Sequence, residues 1–291
     1  MPEPTVDQFL VDRIKAYRSE TFCSLPHLRV TTLEGAIDFV NRRGFVFFWP
    51  IKDVLLPSLW VANAGDRPVP DEHDDPGHVT WGWKDALLGK RQWYYGRILH
   101  HRNTIISLEM APNFYALTEN YGDYEQDYLI QYEEGRMTLE ARLVYEALLK
   151  EGPLDTITLR KSAHLTGLQS ESRFNKALND LMVDFKVLPI GVSDAGSWHY
   201  AHVYEIVARH MPEMVEKARF IQEQAARMRL AVQYFDSVGA ARSNDLVKVF
   251  GWASEEVEKI LDQLEKENVI QGGVELTPQG GRWFLLSRLL S

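Results

Sequence analysis

Residues 138–207 read TLEARLVYEALLKEGPLDTITLRKSAHLTGLQSESRFNKALNDLMVDFKVLPIGVSDAGSWHYAHVYEIV. Apolar residues in this stretch recur at helical spacing in three successive runs. They predict a first helix that ends near Gly152, a second that ends at Gly167, and a third with Ser170 as its N-cap. A turn at 193–196 then separates one strand from a second, aromatic strand. The stretch therefore predicts three helices followed by a β-hairpin.

This order of elements is that of a winged helix-turn-helix unit, whose third helix can enter the major groove of DNA. The same order returns in residues 230–280, where Ser243 and Ser254 are the predicted N-caps of the second and third helices. Such a recurrence indicates an internal repeat. We therefore predict an α+β fold, mainly helical, built from tandem winged helix-turn-helix units.

The first part of the chain contains a further well-marked helix, with Thr32 as N-cap and Gly44 as its stop. Residues 83–102 also have a helical pattern, and residues 104–110 are strand-like. The helix that begins after Thr32 and this strand could belong to a degenerate third winged helix. Composition and periodicity together predict five segments: an N-terminal arm at 1–30, an aromatic-rich N-terminal domain at 31–137, a winged helix at 138–208, a helical connector at 209–228, and a winged helix with a C-terminal helix at 229–291.

Composition excludes several classes of protein. The 291 residues contain 32 Lys+Arg and 41 Asp+Glu, a net charge of -9, so no large basic field favours indiscriminate binding to nucleic acids or membrane surfaces. Cys23 is the single cysteine, which excludes an internal disulfide and a zinc site with paired cysteines. The first residues do not resemble a signal peptide, and no apolar run reaches the ~18 residues of a membrane span. We expect a cytoplasmic protein without a membrane partner.

Residues 90–102, KRQWYYGRILHHR, combine cations with aromatic side chains and lie in a stretch without acidic residues. Cations can bind phosphates while aromatic faces stack on unpaired bases, so this mixture suits distorted or single-stranded nucleic acid. An alternative stays open, in which Trp93 belongs to the core and the cations form an ordinary solvated face. The predicted nucleic-acid-binding residues here and in the later winged helix are Arg91, Trp93, Arg97, His101, Arg102, Arg173, Lys176 and Trp198.

The two predicted third helices differ in charge. Helix 169–184 presents Arg173, Lys176 and several amide or hydroxyl side chains, which suits contact with DNA. Helix 254–268 is dominated by glutamates and should repel phosphates. Both helices could instead serve structural or protein-binding roles.

Residues 72–85 contain a second group of ionisable and aromatic side chains. His73, Asp75 and His78 could ligate a metal, but they match no metal-binding signature, so we predict neither a metal nor a cofactor. A small-molecule pocket is the further alternative, and aromatic packing with a lysine ion pair would explain the same residues equally well. The candidate pocket residues are Trp49, Lys52, Trp60, Trp81, Trp83, Lys84 and Asp85.

Taken with these elements, GAIDFVNRRGFVFFW at 35–49 and KRQWYYGRILHHRNTIISLEMAPNFYAL at 90–117 resemble the winged-helix DNA-glycosylase superfamily of AlkZ type. The resemblance extends from about Thr32 to Leu276. It implies tandem winged helices that embrace DNA, and enzymes that excise alkylated bases and unhook interstrand crosslinks.

The sequence differs from the pattern of that family at the position where the resemblance places the catalytic motif. The motif, Gln-x-Gln or Gln-x-acid, should follow Gly44, where this chain has Phe47, Phe48 and Trp49. Aromatic side chains cannot activate water, which leaves Asp53 as the candidate catalytic carboxylate and Trp49 as a stacking surface. The resemblance also implies a carboxy-terminal β-barrel, for which we expect no counterpart in this sequence.

The resemblance therefore implies a DNA-binding protein that recognises damaged or distorted duplex, with base excision as the lesser expectation. The rival interpretation is a transcriptional regulator or protein-interaction module without enzymatic activity. The oligomeric state stays open.

Overall fold

The computed structural model describes residues 8–72, 74–196, 199–274, 276 and 281–290. Helices predominate in these residues, in agreement with the predicted mainly helical α+β class. The α-helices are α1 (Gln8–Thr21), α2 (Leu33–Arg43), α3 (Leu59–Ala64), α4 (Val79–Leu87), α5 (Ala111–Tyr115), α6 (Asp127–Glu133), α7 (Leu139–Glu151), α8 (Thr156–Ser162), α9 (Glu171–Val183), α10 (Val207–His210), α11 (Pro212–Ala218), α12 (Glu223–Val238), α13 (Ser243–Phe250) and α14 (Ser254–Lys266).

The strands are short. They are β1 (Phe45–Phe47), β2 (Tyr94–Gly96), β3 (Thr104–Ile106), β4 (Leu154–Asp155), β5 (Val187–Ser193), β6 (Ala201–Ile206), β7 (Ala240–Arg242), β8 (Ile270–Val274) and β9 (Trp283–Leu286). Among the helices in the described ranges, none has both the length and the apolar character that crossing a membrane requires.

The chain forms two compact units. Unit 1 comprises Met1–Thr80 and Arg227–Ser291, and unit 2 comprises Trp81–Ala226. The division into five sequence segments stays a prediction.

In unit 1, α2 begins and ends where the sequence predicts. The hydroxyl of Thr32 accepts a hydrogen bond from the backbone N–H of Gly35, which satisfies one of the free donors of the first turn. Gly44 ends the helix at a φ of 76°, a conformation that costs glycine little. Phe39 and Val40 are buried on the apolar face.

The N-terminal helix α1 is attached to the end of α12 within unit 1. The guanidinium of Arg18 donates to the carbonyl oxygens of Val238 and Ala240 at 2.9 and 2.7 Å. The hydroxyl of Tyr17 donates to the carbonyl oxygen of Asp236 at 2.6 Å. The carbonyls of Asp236 and Val238 lie in the last turn of α12, where they have no intrahelical partners, and that of Ala240 lies in β7.

The second half of unit 1 contains α12, α13 and α14 with a sheet in the order β7-β9-β8. The predicted serine caps are wrong here. Asp245 accepts from the backbone N–H of Arg242 at 2.9 Å, so α13 begins at Ser243 without using its hydroxyl. The N-cap of α14 is Ala253, one residue before Ser254.

The predicted C-terminal helix is also wrong. Trp283–Leu286 instead forms the central strand β9, with Leu286 opposite Ile270 of β8, and a 3-10 turn follows at Ser287–Leu289. The apolar run at the end of the chain is therefore a buried strand, which periodicity cannot distinguish from a short buried helix.

Unit 2 contains α7, α8 and α9 with a sheet in the order β4-β6-β5. This arrangement realises the predicted three helices and hairpin of residues 138–207. The apolar faces of the helices and the inner face of the sheet share one core, which includes Val144, Leu148, Phe174, Leu181 and Ile206.

Two local predictions in unit 2 are corrected. Ser170 is the N-cap residue of α9 as predicted, but its hydroxyl makes no capping hydrogen bond and donates instead to the carbonyl oxygens of Leu165 and Gly167. Residues 83–102 are not one helical stretch, since α4 ends before Gly89 and β2 pairs with β3. Gly89 has a φ of 72°, and a Cβ atom there would lie 2.3 Å from the carbonyl oxygen of Ile190.

Candidate functional site

A buried lysine lies at the centre of the most unusual group of side chains in unit 2. The ammonium of Lys84, on α4, is completely buried and lies 2.8 Å from the carboxylate of Asp85. It also lies 2.9 Å from the hydroxyl of Tyr200 and 3.4 Å from Nε2 of His202. Its Nζ is 4.1 Å from the ring centroid of Trp81. We call these five residues the Lys84 cluster.

The hydrogen bonds of the Lys84 cluster define the protonation of its members. An ammonium group only donates, so its three N–H groups match the oxygens of Asp85 and Tyr200 and the ring nitrogen of His202. The single hydroxyl proton of Tyr200 is then donated to Asp85 at 2.9 Å. Nε2 of His202 must accept, which places the proton of the neutral imidazole on Nδ1.

Burial dominates the titration of the Lys84 cluster. It lowers the pKa of Lys84, and the carboxylate of Asp85 partly offsets this effect. Burial, and then the charge of Lys84, lowers the pKa of His202 to about 4. Burial and the hydrogen bond to Asp85 raise the pKa of Tyr200. His202 is therefore neutral and Tyr200 protonated at neutral pH.

Tyr200 and His202 also form part of the wall of a cavity of about 620 Å³ in unit 2. Tyr204 continues this wall, because residues two apart on a strand point to the same face. The apolar side chains of Leu178 and Met182 from α9 line it as well. The cavity is thus an aromatic and aliphatic site whose wall is fixed from behind by a buried cation.

Polar side chains from three parts of unit 2 also line the cavity. Asn175 and Glu171 project from α9, and Arg97 follows directly after β2. Thr156, the first residue of α8, also lines the cavity, and its hydroxyl donates to the backbone carbonyl of His202 at 3.0 Å. A bound molecule would therefore meet a guanidinium, an amide and a carboxylate as well as aromatic rings.

Two of the predicted nucleic-acid-binding residues converge on α9. A guanidinium N–H of Arg97 donates to the side-chain oxygen of Asn179 at 3.3 Å. The amide nitrogen of Asn179 lies 2.9 Å from Nδ1 of His101, so that ring nitrogen accepts. His101 has a φ of 54°, which is uncommon for a residue other than glycine.

The neighbouring cations of α9 are held only by surface ion pairs. Lys176 pairs with Asp180 at 2.6 Å and Arg173 with Glu140 at 3.0 Å, with 70% and 62% of the two basic side chains exposed. Exposed pairs contribute about 0–1 kcal/mol, so exchanging a carboxylate for a phosphate costs little. We call Arg97, His101, Asn175, Lys176 and Asn179 the α9 surface.

A sequence model of the AlkZ-related family matches residues 30–251, most of the chain. The chain belongs to the AlkZ-related family. No curated protein matches the sequence significantly.

The fold is similar to that of a DNA glycosylase, AlkZ of Streptomyces sahachiroi. The TM-score is 0.59 at 12% sequence identity, and the match covers 98% of this chain and 71% of AlkZ. At this identity the likeness shows a shared fold, and function must be argued from the residues of this chain.

The position at which the AlkZ-type resemblance places catalytic polar residues is occupied here by core side chains. Phe47 and Phe48 are 0% and 1% exposed, so this segment offers neither a polar group nor access to water. Asp53 lies further on, in an exposed turn with a φ of 61°. Its role as a catalytic carboxylate stays a prediction.

The structure brings together part of the predicted pocket. Trp81, Lys84 and Asp85 belong to the Lys84 cluster, whereas Trp83 is a buried residue of the same helix. The remaining three residues belong to unit 1. Trp60 is fully buried, and Trp49 packs against the hydrophobic cluster that contains it. Lys52 is exposed.

The weak metal candidates have structural partners instead. The carboxylate of Asp75 accepts from Arg67 at 2.6 Å and from the backbone N–H of Gly77 at 2.7 Å. Nε2 of His78 lies 3.2 Å from the carbonyl oxygen of Pro70. His73 lies outside the described residues. Across the part of the chain that the structure describes, no three His, Cys, Asp or Glu side chains are grouped to hold a metal ion.

The other predicted nucleic-acid contacts differ in accessibility. Arg91 and Arg102 are exposed. Trp93 is only 4% exposed, so its ring is part of the core and does not present a face for stacking on a base. The burial of Trp93 agrees with the alternative in which it belongs to the core, and not with its predicted role in stacking on a base. Trp198 lies outside the described residues.

Sequence reasoning missed the roles of Tyr200, His202 and Tyr204. Their signal was present, because three aromatic or imidazole side chains alternate along the second strand of the hairpin and must therefore share one face. Lys84, the partner of Tyr200 and His202, is more than a hundred residues distant in the sequence, so no local pattern links it to them.

Proposed function

We propose that this protein binds DNA, and damaged or distorted duplex in particular, through the α9 surface. In this proposal, residues 138–208 and 229–291 are tandem winged-helix units, and α9 is the recognition helix of the first. The observation that carries the proposal is the convergence of Arg97 and His101 on Asn179 of α9. Three separate segments thereby present hydrogen-bonding and cationic groups on one side of the third helix.

The chemistry of this surface fits a nucleic acid. Guanidinium and ammonium groups contact phosphates, while amide side chains can both donate to and accept from base edges. Two exposed residues, Asn175 and Lys176, lie beside Asn179 on the same helix. The carboxylates of Glu171 and Asp180 limit the favourable potential, which favours a specific contact over a broad electrostatic one.

The second winged-helix unit would not read DNA with its third helix. The exposed side of α14 carries Glu255, Glu258 and Asp262, whose charges repel phosphates. Only Lys259 and Lys266 oppose them on that side. This acidic helix is the observation that favours the rival function, a contact with another protein.

Base excision needs a polar group that activates water. At the position where the AlkZ-type resemblance places that group, this chain has Phe47 and Phe48, which are buried in the core. We therefore propose binding as the primary function. Asp53 is the remaining candidate for water activation, and Asp53→Asn tests it in any assay that shows release of a base.

The experiment is direct binding at low salt to fluorescent DNA of four kinds: matched duplex, single strand, abasic duplex and crosslinked duplex. Each mixture is then examined for a released base. We expect binding with a preference for the abasic or crosslinked duplex and no release. Absence of binding to all four would refute the proposed function, and a complex with DNA that survives high salt would indicate a different type of contact.

A further inference from the structure

We infer that the cavity of unit 2 receives a single unpaired nucleobase from DNA bound on the α9 surface. The inference rests on the proposed function and makes it more specific, because it names the structural feature of the DNA that the protein would recognise. It is carried by the position of the cavity, the chemistry of its walls and the buried cation behind them.

The cavity is continuous with the α9 surface. Arg97 and Asn175 belong to both, so a strand whose phosphates contact Arg97 passes directly over the cavity. A volume of about 620 Å³ lies within the range of pockets that enclose a small organic molecule. A nucleobase with its sugar would fit inside it.

The walls suit a flat heteroaromatic ring. Tyr200 and His202 supply partly exposed aromatic surface, with ring centroids 5.3 Å apart. The largely buried Tyr204 backs this surface, with its ring centroid 6.1 Å from that of His202. Leu178 and Met182 provide apolar contacts from α9. Stacking on aromatic side chains accepts any of the bases, since each base has a π-face.

The polar lining supplies groups that a base edge and its phosphate require. The amide of Asn175 can donate and accept at once, and the carboxylate of Glu171 can accept from an exocyclic amino group. The guanidinium of Arg97 is placed for the phosphate. An aliphatic ligand would leave these groups without partners.

The Lys84 cluster explains why the aromatic wall can be preorganised. The ammonium of Lys84 bonds both Tyr200 and His202, and Asp85 bonds Tyr200 in turn. A wall whose rotamers are fixed before binding loses less conformational freedom when a base enters. His202 is also neutral, so it adds no charge to the face that meets the base.

The test separates base capture from DNA binding. Duplexes that contain 2-aminopurine, either paired with thymine or opposite an abasic site, are titrated with the protein. Fluorescence anisotropy of a distant dye reports total binding, and the emission of 2-aminopurine reports the environment of that base. We expect binding of the unpaired duplex about tenfold tighter than the paired one, with a change in 2-aminopurine emission on binding.

The decisive variant fills the cavity without touching the α9 surface. Ile157 lines the cavity at its exposed side, and Ile157→Trp adds a ring there. We expect this variant to bind the paired duplex within about twofold of wild type and to lose the preference and the emission change. Leu139→Trp, at an exposed position of α7, is the matched control and should behave as wild type.

Thermal unfolding of both variants verifies that they fold. A wild-type protein that binds the paired and unpaired duplexes equally overturns the inference and leaves the proposed function standing, as does an Ile157→Trp protein that keeps the preference. Absence of DNA binding overturns both.

Discussion

The hydroxyl oxygen of Tyr200 lies 2.9 Å from the ammonium nitrogen of Lys84, and this hydrogen bond joins the residue that precedes β6 to helix α4. The ammonium is completely buried, and a buried charge is costly unless every donor has a partner. Asp85 and His202 complete the set. The wall of the cavity therefore depends on a residue that does not line it.

Replacing the buried ammonium should destabilise the protein. Lys84→Met removes the cationic partner of the carboxylate of Asp85, and we expect a loss of about 3 kcal/mol in the free energy of unfolding. Urea denaturation measures it. Lys161→Met, at an exposed position of α8, should change the same quantity by no more than about 0.5 kcal/mol. Equal losses in the two variants would show that the Lys84 cluster has no special role.

His202 should make stability depend on pH. Its pKa is lowered from 6.5 to about 4 in the folded chain by burial and by Lys84, with Asp85 opposing and Arg97 reinforcing the shift. Between these values the unfolded chain binds a proton that the folded chain does not. The contribution of His202 to stability is therefore complete above pH 6.5 and is lost as the pH falls toward 4.

The measurement is the free energy of unfolding across that pH range for wild type and for His202→Asn. Other carboxylates titrate there too, so the difference between the two proteins is the informative quantity. We expect the curve of the variant to be flatter. Parallel curves would mean that His202 titrates normally in the folded state.

Asn179 should act by positioning Arg97 and His101 on the α9 surface. Asn179→Ala removes the partner of both Arg97 and His101, and we expect DNA affinity to fall by about threefold to tenfold, the loss expected for one or two hydrogen bonds. Anisotropy titrations measure it. Ser172→Ala, also exposed on α9, is the control. If both variants bind equally well, Asn179 has no positioning role.

Local signals in the sequence were sufficient for much of the fold. Thr32 and Gly44 delimit α2, because capping chemistry acts within one turn. The apolar periodicity of residues 138–207 located α7, α8 and α9 and the hairpin. Serine residues predicted helix caps less reliably. The hydroxyl of Ser170 donates to backbone carbonyls instead of capping α9, and the side chain of Asp245 takes part in the cap of α13.

The candidate site could be predicted only in part. Lys84, Asp85 and Trp81 were recognised because they are adjacent in the sequence. Tyr200 and His202 complete their hydrogen bonds only through tertiary packing, which no local pattern encodes. Trp93 was ambiguous because a buried aromatic side chain and a stacking one have the same sequence signal, and burial decided between them.

The central claim is that the α9 surface binds DNA through its phosphates and base edges. The most direct test is a salt series, from about 50 mM to about 200 mM, of binding to a duplex with one unpaired base. Wild type is compared with the double variant Arg97→Gln/Lys176→Gln and with Lys150→Gln, which changes an exposed lysine of α7.

We predict a linear fall of log affinity with log salt, and a slope smaller in magnitude by about 2 for the double variant, because each phosphate contact contributes roughly 0.9 to the slope. The slope of the Lys150→Gln protein should match that of wild type. Identical slopes for all three proteins, or no binding at the lowest salt concentration, would contradict the account.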